Sequence, residues 1–245
     1  MNCEADLKNA LVHSLDEAKD RYSLWKTILN TLEAETVLEV GVWKGEFSAS
    51  ILMRCPSIKR YFMLDPWRPL QQWNKPLNVE SSVFDDALSA ALAATRFARE
   101  KVVILRGTTI ESIHDIADRS LDFAYIDGDH TLRGITHDLI NVFPKLKDGG
   151  ILGGDDFVPS IWQHASRYEP TFVFPFAVYF AEAHSLPIYA LPHNQFLIHK
   201  TSEAGYEFTD FMGTYRSHEI RSQLGLVQMI GRRARELMAR RSTRK

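Results

Sequence analysis

The stretch TVLEVGVWKGEFSAS, residues 36–50, decides the fold of this chain. Its first five residues are mostly apolar or β-branched, which predicts a buried strand. The loop that follows contains Gly41 and Gly45, and glycine lets a backbone turn tightly and approach a ligand without interference from a Cβ atom. A helix is predicted from Phe47 onward. A strand, a glycine-containing loop and a helix in this order are typical of the ligand-binding turn of a Rossmann-like sheet.

This loop differs from the dinucleotide fingerprint G-x-G-x-x-G, because it lacks the third glycine and the spacing. A pyrophosphate ligand is therefore disfavoured. The acid Glu39 just before the loop also disfavours a phosphate group. A carboxylate there suits a cationic or hydroxyl-rich ligand. Asp65 ends the next predicted strand, where an acid can accept hydrogen bonds from ribose hydroxyls. Its alternative role is to cap the turn before Pro66.

Short apolar runs alternate with amphipathic stretches along most of the chain. The predicted strands are 36–40, 60–64, 102–105, 121–126 and 151–154, with a hairpin formed by 186–191 and 195–199; the predicted helices are 47–52, 83–99, 109–117, 132–146 and 172–184. This order predicts an α/β fold, with a mostly parallel seven-stranded sheet, a C-terminal antiparallel hairpin and helices on both faces. Gly149 and Gly150 are expected to end the helix 132–146.

Composition limits the class of protein. The chain has 245 residues, of which 45% are hydrophobic and 24% charged, as in ordinary globular domains. A net charge of −2 gives no general attraction to nucleic acid or anionic membranes. Cys3 and Cys55 are far apart and lack metal-ligand spacing, so a reduced, cytoplasmic setting is expected. No apolar run approaches the roughly 20 residues that span a bilayer, and the N-terminus does not resemble a secretory signal.

Polar residues follow several of the predicted strands. Gly41, Asp65, Gly107, Asp127 and Asp155 all stand at strand ends. Ligands of open α/β sheets bind at the carboxyl ends of the strands. These residues are therefore expected to converge at one edge of the sheet.

Three carboxylates, those of Asp127, Asp155 and Asp156, follow the fourth and fifth strands. Close carboxylates raise one another's pKa unless a cation neutralises them. Oxygen ligands without cysteine favour Mg²⁺, with Mn²⁺ or Ca²⁺ as alternatives, over zinc. A metal site is predicted here, although Asp155 or Asp156 could instead cap a following helix.

Five segments in succession resemble the motifs of class I methyltransferases that use S-adenosylmethionine: 39–45, 65–67, 107–109, 126–130 and 149–157. More narrowly, they resemble the branch of macrolide-sugar O-methyltransferases and cephalosporin-hydroxylase-like proteins. The resemblance covers roughly residues 36–160. The cofactor-binding residues that it implies are Glu39, Gly41, Trp43, Gly45, Asp65, Thr108, Thr109 and Asp127. It implies that the loop glycines surround the methionine part, that Asp65 holds the ribose, and that Thr108 or Thr109 lies near the adenine.

His130 is the predicted general base. It follows Asp127 by three residues, and a neutral imidazole can accept a hydroxyl proton near physiological pH. In related sugar methyltransferases a histidine at this place has that role. The predicted mechanism has Mg²⁺ on Asp127, Asp155 and Asp156 lowering the pKa of an acceptor hydroxyl while His130 removes the proton.

The predicted division of the chain is an N-terminal helical segment 1–35, a methyltransferase domain 36–200 and a C-terminal helical extension 201–245 with a basic tail. A sugar hydroxyl is the preferred acceptor and a phenol the second; a homodimer is suggested only by relatives. Loop 66–82 is a possible lid. Trp67, Trp73, Phe157 and Trp162 are candidates to stack on an acceptor ring or, alternatively, to close the core.

The segment 231–245 is strongly basic, which indicates a solvated helix or, alternatively, contact with RNA, an anionic membrane surface or an acidic partner. A nucleic-acid methyltransferase guided by this tail is the alternative enzyme. The sequence does not favour it, because the Asp/Asn-Pro-Pro-Tyr-type motif of amino-group methylation is missing. A non-catalytic cofactor-binding or scaffold protein with the same fold is the other alternative.

Overall fold

A computed structural model describes residues 7, 11–16, 18–215, 218–220, 224–225 and 230–231. Residues 11–16 are helical. The further helices are α1 (Arg21–Thr31), α2 (Glu46–Arg54), α3 (Ser81–Ala94), α4 (Thr109–Ser112), α5 (Leu132–Val142) and α6 (Val173–Ala183). The strands are β1 (Thr36–Val40), β2 (Arg60–Asp65), β3 (Val102–Arg106), β4 (Leu121–Ile126), β5 (Leu146–Gly154), β6 (Pro187–Leu191), β7 (Gln195–His199) and β8 (Glu207–Asp210).

The strands form one sheet in the order β3-β2-β1-β4-β5-β7-β6-β8. The first five strands in chain order pair in parallel, and β7 pairs antiparallel with both β5 and β6. The predicted α/β fold with a terminal hairpin is therefore confirmed. The eighth strand was not predicted. It is a four-residue edge strand that pairs in parallel with β6, and its short sequence carries no alternating apolar pattern.

The predicted boundary between the fifth helix and the fifth strand was wrong. Helix α5 ends at Val142, a 3₁₀ turn follows, and β5 already begins at Leu146. Pro144 in that turn lacks the N–H that a continued α-helix needs. Gly149 and Gly150 consequently lie within the strand, where a register shift between β4 and β5 accompanies a positive φ of 82° at Gly149.

Helices cover both faces of the sheet. They are needed on both faces because successive apolar side chains of β1 point to opposite sides of the sheet. Leu38 faces a cluster that includes Ile135 and Leu139 of α5 and buried residues of α6. Val37 faces the opposite cluster, to which α1, α2 and α3 contribute, with Trp25 fully buried. The sheet is therefore held between two hydrophobic layers, and its strand ends remain available for a site.

The aromatic residues of the loops differ in their positions. Trp67 and Phe157 are 1% and 0% exposed and belong to the two core clusters, so they close the core. Trp73 is half-buried and Trp162 lies in a later loop.

No helix in the described part of the chain is long and apolar enough to cross a membrane. The basic tail beyond residue 231 lies outside the described residues. The division of the chain at residues 35 and 200 stays a prediction.

Candidate active site

Strand ends meet at one edge of the sheet through backbone hydrogen bonds. The N–H of Gly41 donates to Leu64 O at 2.9 Å, and the N–H of Asp127 donates to Val40 O at 2.8 Å. The N–H of Asp155 donates in turn to the carbonyl that ends β4, at 3.0 Å. The predicted convergence is present, because β1, β2, β4 and β5 are neighbours.

A cavity of about 410 Å³ opens at this edge. The predicted site residues that line it are Glu39, Gly41, Trp43, Asp65, Thr108, Thr109, Asp127, His130 and Asp156. Gly45 and Asp155 are not among its lining residues. Its volume lies within the range of small-molecule and cofactor sites.

The two loop glycines have different roles. Gly41 has a φ of 85°, and a Cβ atom there would lie 2.1 Å from the carbonyl oxygen of Asp127. The end of β4 can approach the loop only because Gly41 has no side chain. Gly45 has a φ of 74°, and a Cβ atom there would lie 2.9 Å from Cα of Ala91 in α3. Gly45 therefore serves helix packing beside the site.

The carboxylate of Asp65 holds the loop in place. Its Oδ2 accepts from the N–H groups of Val42 and Trp43 at 2.9 and 3.0 Å, and its Oδ1 accepts from Trp67 N at 2.7 Å. The turn-capping alternative is thus present, while contact with a ribose stays a prediction. Burial raises the pKa of Asp65, although these backbone hydrogen bonds lower it.

Glu39 is buried beneath the loop with 1% exposure. It accepts hydrogen bonds from the Ser48 hydroxyl and, at 2.6 Å, from the Tyr61 hydroxyl. Burial outweighs these hydrogen bonds and raises the pKa of Glu39 to about 8. Burial therefore favours the neutral form of the Glu39 side chain, and its contact with a cationic ligand stays a prediction.

The two predicted adenine residues are engaged locally. Thr108 caps α4, and the Thr109 hydroxyl donates to Asp138 at 2.5 Å. Asp138 is buried and lines the cavity, and burial raises its pKa to about 7. Sequence analysis did not single out Asp138, because an acid inside a predicted helix gives no sign of facing a cavity.

Arg21 bridges two of the predicted metal ligands. Its Nη1 donates to Oδ2 of Asp127 at 3.0 Å and also to Oδ2 of Asp155. The other oxygen of Asp155 accepts from Gln195 Nε2 at 2.7 Å. Burial, followed by the charge of Asp155, raises the pKa of Asp127 to about 7. Arg21 lies more than 100 residues from either carboxylate in sequence, so no motif could indicate it.

The third carboxylate is paired with the predicted base. Oδ2 of Asp156 lies 2.6 Å from Nδ1 of His130, and Nε2 of His130 lies 3.6 Å from Oδ1 of Asp127. Burial acts to lower the pKa of His130, but the hydrogen bond and charge of Asp156 and the charge of Asp127 raise it overall. Burial acts in turn to raise the pKa of Asp156, and His130 lowers it below its usual value. Among the described residues, Nε2 of His130 is a buried nitrogen without a hydrogen-bond partner.

The carboxylates as arranged do not fit a divalent cation. Across the described ranges, no group of three or more His, Cys, Asp or Glu side chains is placed to hold a metal ion. The reason is that Arg21 occupies the space between Asp127 and Asp155, while Asp156 is turned towards His130. The metal assignment made from sequence is therefore left without structural support.

The loop 66–80, which makes up most of the predicted lid 66–82, is tied to the loop after β5 through Lys75. The Lys75 ammonium group donates to the carbonyls of Glu169 and Pro170 and to the hydroxyl of Thr171, at 2.9 to 3.1 Å. Lys75 is only 6% exposed and lines the cavity. The two loops thus form one connected wall of the site.

Trp73 of the same loop lines the cavity as well. Its Nε1 is buried and has no hydrogen-bond partner within the described part of the chain. An unpaired buried donor is costly, so a ligand that accepts this hydrogen bond would remove a penalty.

The sheet order, the glycine loop at its edge and the cavity beside that loop define the fold of a class I methyltransferase, the class that uses S-adenosylmethionine. A family model described as a methyltransferase domain matches residues 38–157. This part of the chain is therefore a methyltransferase domain of that family, and the protein is an enzyme of the S-adenosylmethionine-dependent class. No curated protein sequence matches the chain.

Three solved structures show the same fold. One is a protein assigned as a caffeoyl-CoA O-methyltransferase from Staphylococcus aureus, with 16% identity and a TM-score of 0.54, covering 81% of this chain and 91% of that one. An O-methyltransferase from Bacillus cereus in complex with S-adenosylhomocysteine (SAH) has 14% identity and a TM-score of 0.51, with coverages of 80% and 89%. The O-methyltransferase NovP has 15% identity and a TM-score of 0.54, with coverages of 80% and 79%.

Proposed function

We propose that this enzyme transfers a methyl group to a hydroxyl oxygen of a small molecule, with His130 as the general base. One observation carries the proposal. His130 lines the cavity, its Nδ1 is held by Asp156 at 2.6 Å, and its buried Nε2 has no hydrogen-bond partner among the described residues, with Oδ1 of Asp127 3.6 Å away. An imidazole whose one nitrogen is fixed by a carboxylate and whose other nitrogen is unpaired is arranged to accept a proton.

The size and the lining of the cavity, about 410 Å³ beside the glycine loop, support the proposal that S-adenosylmethionine binds there. Gly41 allows close approach of the loop to β4, and apolar side chains such as Trp43 and Phe84 line the wall beside it. When bound, this cofactor supplies an electrophilic methyl group on a sulfonium. Glu39, Asp65, Thr108 and Thr109 remain the proposed contacts at its polar parts, with Trp43 and the loop glycines around its methionine portion.

This chain's own residues then position the acceptor and take its proton. Nε2 of His130 accepts the hydroxyl proton, and Asp156 stabilises the resulting imidazolium. The wall formed by the Lys75 loop excludes water from the site. Holding the two reactants at near-attack distance supplies much of the remaining rate enhancement.

The predicted role of Mg²⁺ is not part of this mechanism, because the carboxylates do not fit the ion as arranged. A small hydroxylated acceptor, a sugar first and a phenol second, remains the proposed substrate. The motifs and the O-methyltransferase neighbours support it, and so does the number of aromatic and aliphatic side chains in the cavity wall, which include Trp73, Leu70 and Leu77.

Calorimetric titration with SAH, with and without Mg²⁺, tests the cofactor site first. Methyl transfer from S-adenosylmethionine to a panel of hydroxylated sugars and phenols then tests the reaction. We expect SAH to bind in both conditions and His130→Ala to lower turnover about 10²- to 10⁴-fold, the usual contribution of a general base. His114→Ala, which changes an exposed histidine outside the cavity, is the matched control.

Unchanged turnover in His130→Ala would refute the base assignment. Failure of SAH to bind in both conditions would refute the proposed cofactor site and methyl transfer and favour the scaffold alternative.

A further inference from the structure

Arg21 is held in place by the hydrophobic core. It is the first residue of α1, which Asp20 caps at its N-terminus by accepting from Ser23 N at 2.7 Å. One turn later, Leu24 and Trp25 are 0% exposed and belong to the core. The start of this helix cannot shift without disturbing that packing, so the position of the Arg21 backbone is set by the fold.

Helix α1 also contacts Asp155 indirectly, through Trp25. Nε1 of Trp25 donates to Oε1 of Gln195 at 2.8 Å, and Nε2 of Gln195 donates to Oδ1 of Asp155 at 2.7 Å. Arg21 donates to the other oxygen of Asp155. Both oxygens of this carboxylate are therefore bound by α1, one directly and one through Gln195.

Aromatic rings also hold the guanidinium group. It lies 5.4 Å from the ring centroid of Tyr22 and 6.0 Å from that of Phe47. Phe47 is in turn stacked on Tyr125 at 3.9 Å with an interplanar angle of 8°. A planar cation between ring faces and carboxylates is a favourable environment for arginine.

These contacts compete with a metal ion for the same oxygens. Mg²⁺ needs near-octahedral oxygen coordination at short distance. One oxygen of Asp127 and both oxygens of Asp155 are already bound, and Asp156 has its Oδ2 on His130. Arginine keeps its charge at any pH a protein experiences, so it permanently offsets one of the two negative charges of this pair.

We infer that Arg21 is the resident cation of the Asp127–Asp155 pair and takes the position that a divalent metal would occupy. Arg21 is then a positioning residue, which holds Asp127 beside His130 without any metal. This inference extends the proposed function and rests on it, because the position of Asp127 beside His130 affects the reaction only if His130 is the base. Whether an arginine already fills this cation position can be measured by metal binding, without an activity assay.

The test is Mn²⁺ binding to the full chain, followed by electron paramagnetic resonance and by calorimetry. The variants are wild type, Arg21→Ala, Arg21→Ala/Asp155→Asn and, as a matched control on the neighbouring helix α2, Arg54→Ala. We expect wild type and Arg54→Ala to bind no Mn²⁺ stoichiometrically. Arg21→Ala is expected to gain one Mn²⁺ site, because it exposes an unneutralised carboxylate pair, and the added Asp155→Asn is expected to remove that site.

Two outcomes would overturn the inference. Stoichiometric binding of Mn²⁺ by the wild type, lost in Asp155→Asn, would show that the metal displaces Arg21. A folded Arg21→Ala that binds no Mn²⁺ would show that Arg21 does not fill a metal position. If Arg21→Ala does not fold, Arg21→Met, which keeps an apolar stem beside Tyr22 and Phe47 but removes the charge, takes its place in the same titration with the same two outcomes.

SAH titration of the same samples separates this inference from the proposed function. If the wild type does not bind SAH, the proposed methyl transfer is contradicted. If the wild type binds SAH and also binds Mn²⁺ stoichiometrically, only the role of Arg21 is contradicted. Addition of EDTA to the wild-type assay gives a second reading, and we expect turnover to be unchanged.

Discussion

Oδ2 of Asp156 lies 2.6 Å from Nδ1 of His130, and the other ring nitrogen of that histidine is buried without a partner in the described part of the chain. The carboxylate predicted as a metal ligand is thus directed at the predicted base. The pair resembles the way a buried acid orients a catalytic imidazole in hydrolases. A residue that acts through another in this way affects the rate more than the affinity.

Asp156→Asn is therefore expected to lower kcat by at least about tenfold, because the amide cannot stabilise the imidazolium. SAH affinity should stay unchanged, since only the proton transfer is altered. Steady-state kinetics of Asp156→Asn, His130→Ala and the double variant measure this. The double variant should be no slower than His130→Ala, because the two residues act as one unit. Independent, additive losses would contradict the pairing.

Trp73→Phe is expected to weaken the binding of one ligand, either the cofactor or the acceptor. The substitution keeps a six-membered aromatic ring in the cavity wall and removes the unpaired buried donor together with the pyrrole ring that carries it. One lost hydrogen bond corresponds to about 2- to 10-fold in Kd or KM. Calorimetry with SAH and the KM of the best acceptor together identify which ligand accepts the bond. Trp162→Phe, outside the cavity lining, is the control; identical constants for both ligands in Trp73→Phe would refute the assignment.

Glu39→Gln is expected to flatten the pH dependence of stability. The pKa of Glu39 is raised to about 8 by burial, from an ordinary value of 4.5. Between these values the folded protein keeps a proton that the unfolded chain has released, so the free energy of unfolding falls as pH rises, by up to about 1.4 kcal/mol per pH unit. Gln is neutral and still accepts from Ser48 and Tyr61, so this contribution disappears.

Urea unfolding of wild type and Glu39→Gln at pH 5.5 and pH 8 measures the difference. Glu100→Gln removes an exposed carboxyl group and serves as the control. Equal falls in stability for wild type and Glu39→Gln would show that Glu39 is ionised in the folded protein.

Gly45→Ala is expected to destabilise the fold more than Gly213→Ala. Both glycines have positive φ, 74° and 65°, so both substitutions incur the backbone cost of about 1–2 kcal/mol. Only at Gly45 would the new Cβ meet backbone, that of Ala91, which adds about 1–3 kcal/mol. Urea unfolding of the two variants measures the difference, and equal losses would show that α2 and α3 separate at no cost.

The order of strands and helices was predictable from sequence, because apolar periodicity and glycine positions are local properties of the chain. The strands from Thr36 to Ile126 and the terminal hairpin follow directly from such patterns. The start of β5 was not predictable in the same way, because Leu146–Gly150 contains glycines that also end helices. Strand β8 depends on pairing with β6, which is a long-range contact.

The sequence by itself determined that polar residues gather at the ligand edge, because every parallel strand delivers its last residue to the same side of the sheet. Asp65 and Asp127 were identified in this way, Glu39 from its place before the glycine loop, and His130 and Asp156 from the motifs that follow the fourth and fifth strands. Only the tertiary structure decided their partners. Asp65 binds the loop backbone, Glu39 is buried with two hydroxyls, and Asp156 is paired with His130.

Arg21 shows the physical reason for this division. Its position depends on the packing of α1, through Trp25, against a core assembled from distant parts of the chain. Charge compensation between groups separated by 106 and 134 residues leaves no pattern in a single sequence. Local chemistry therefore specifies the candidates for a site, and packing decides which of them meet.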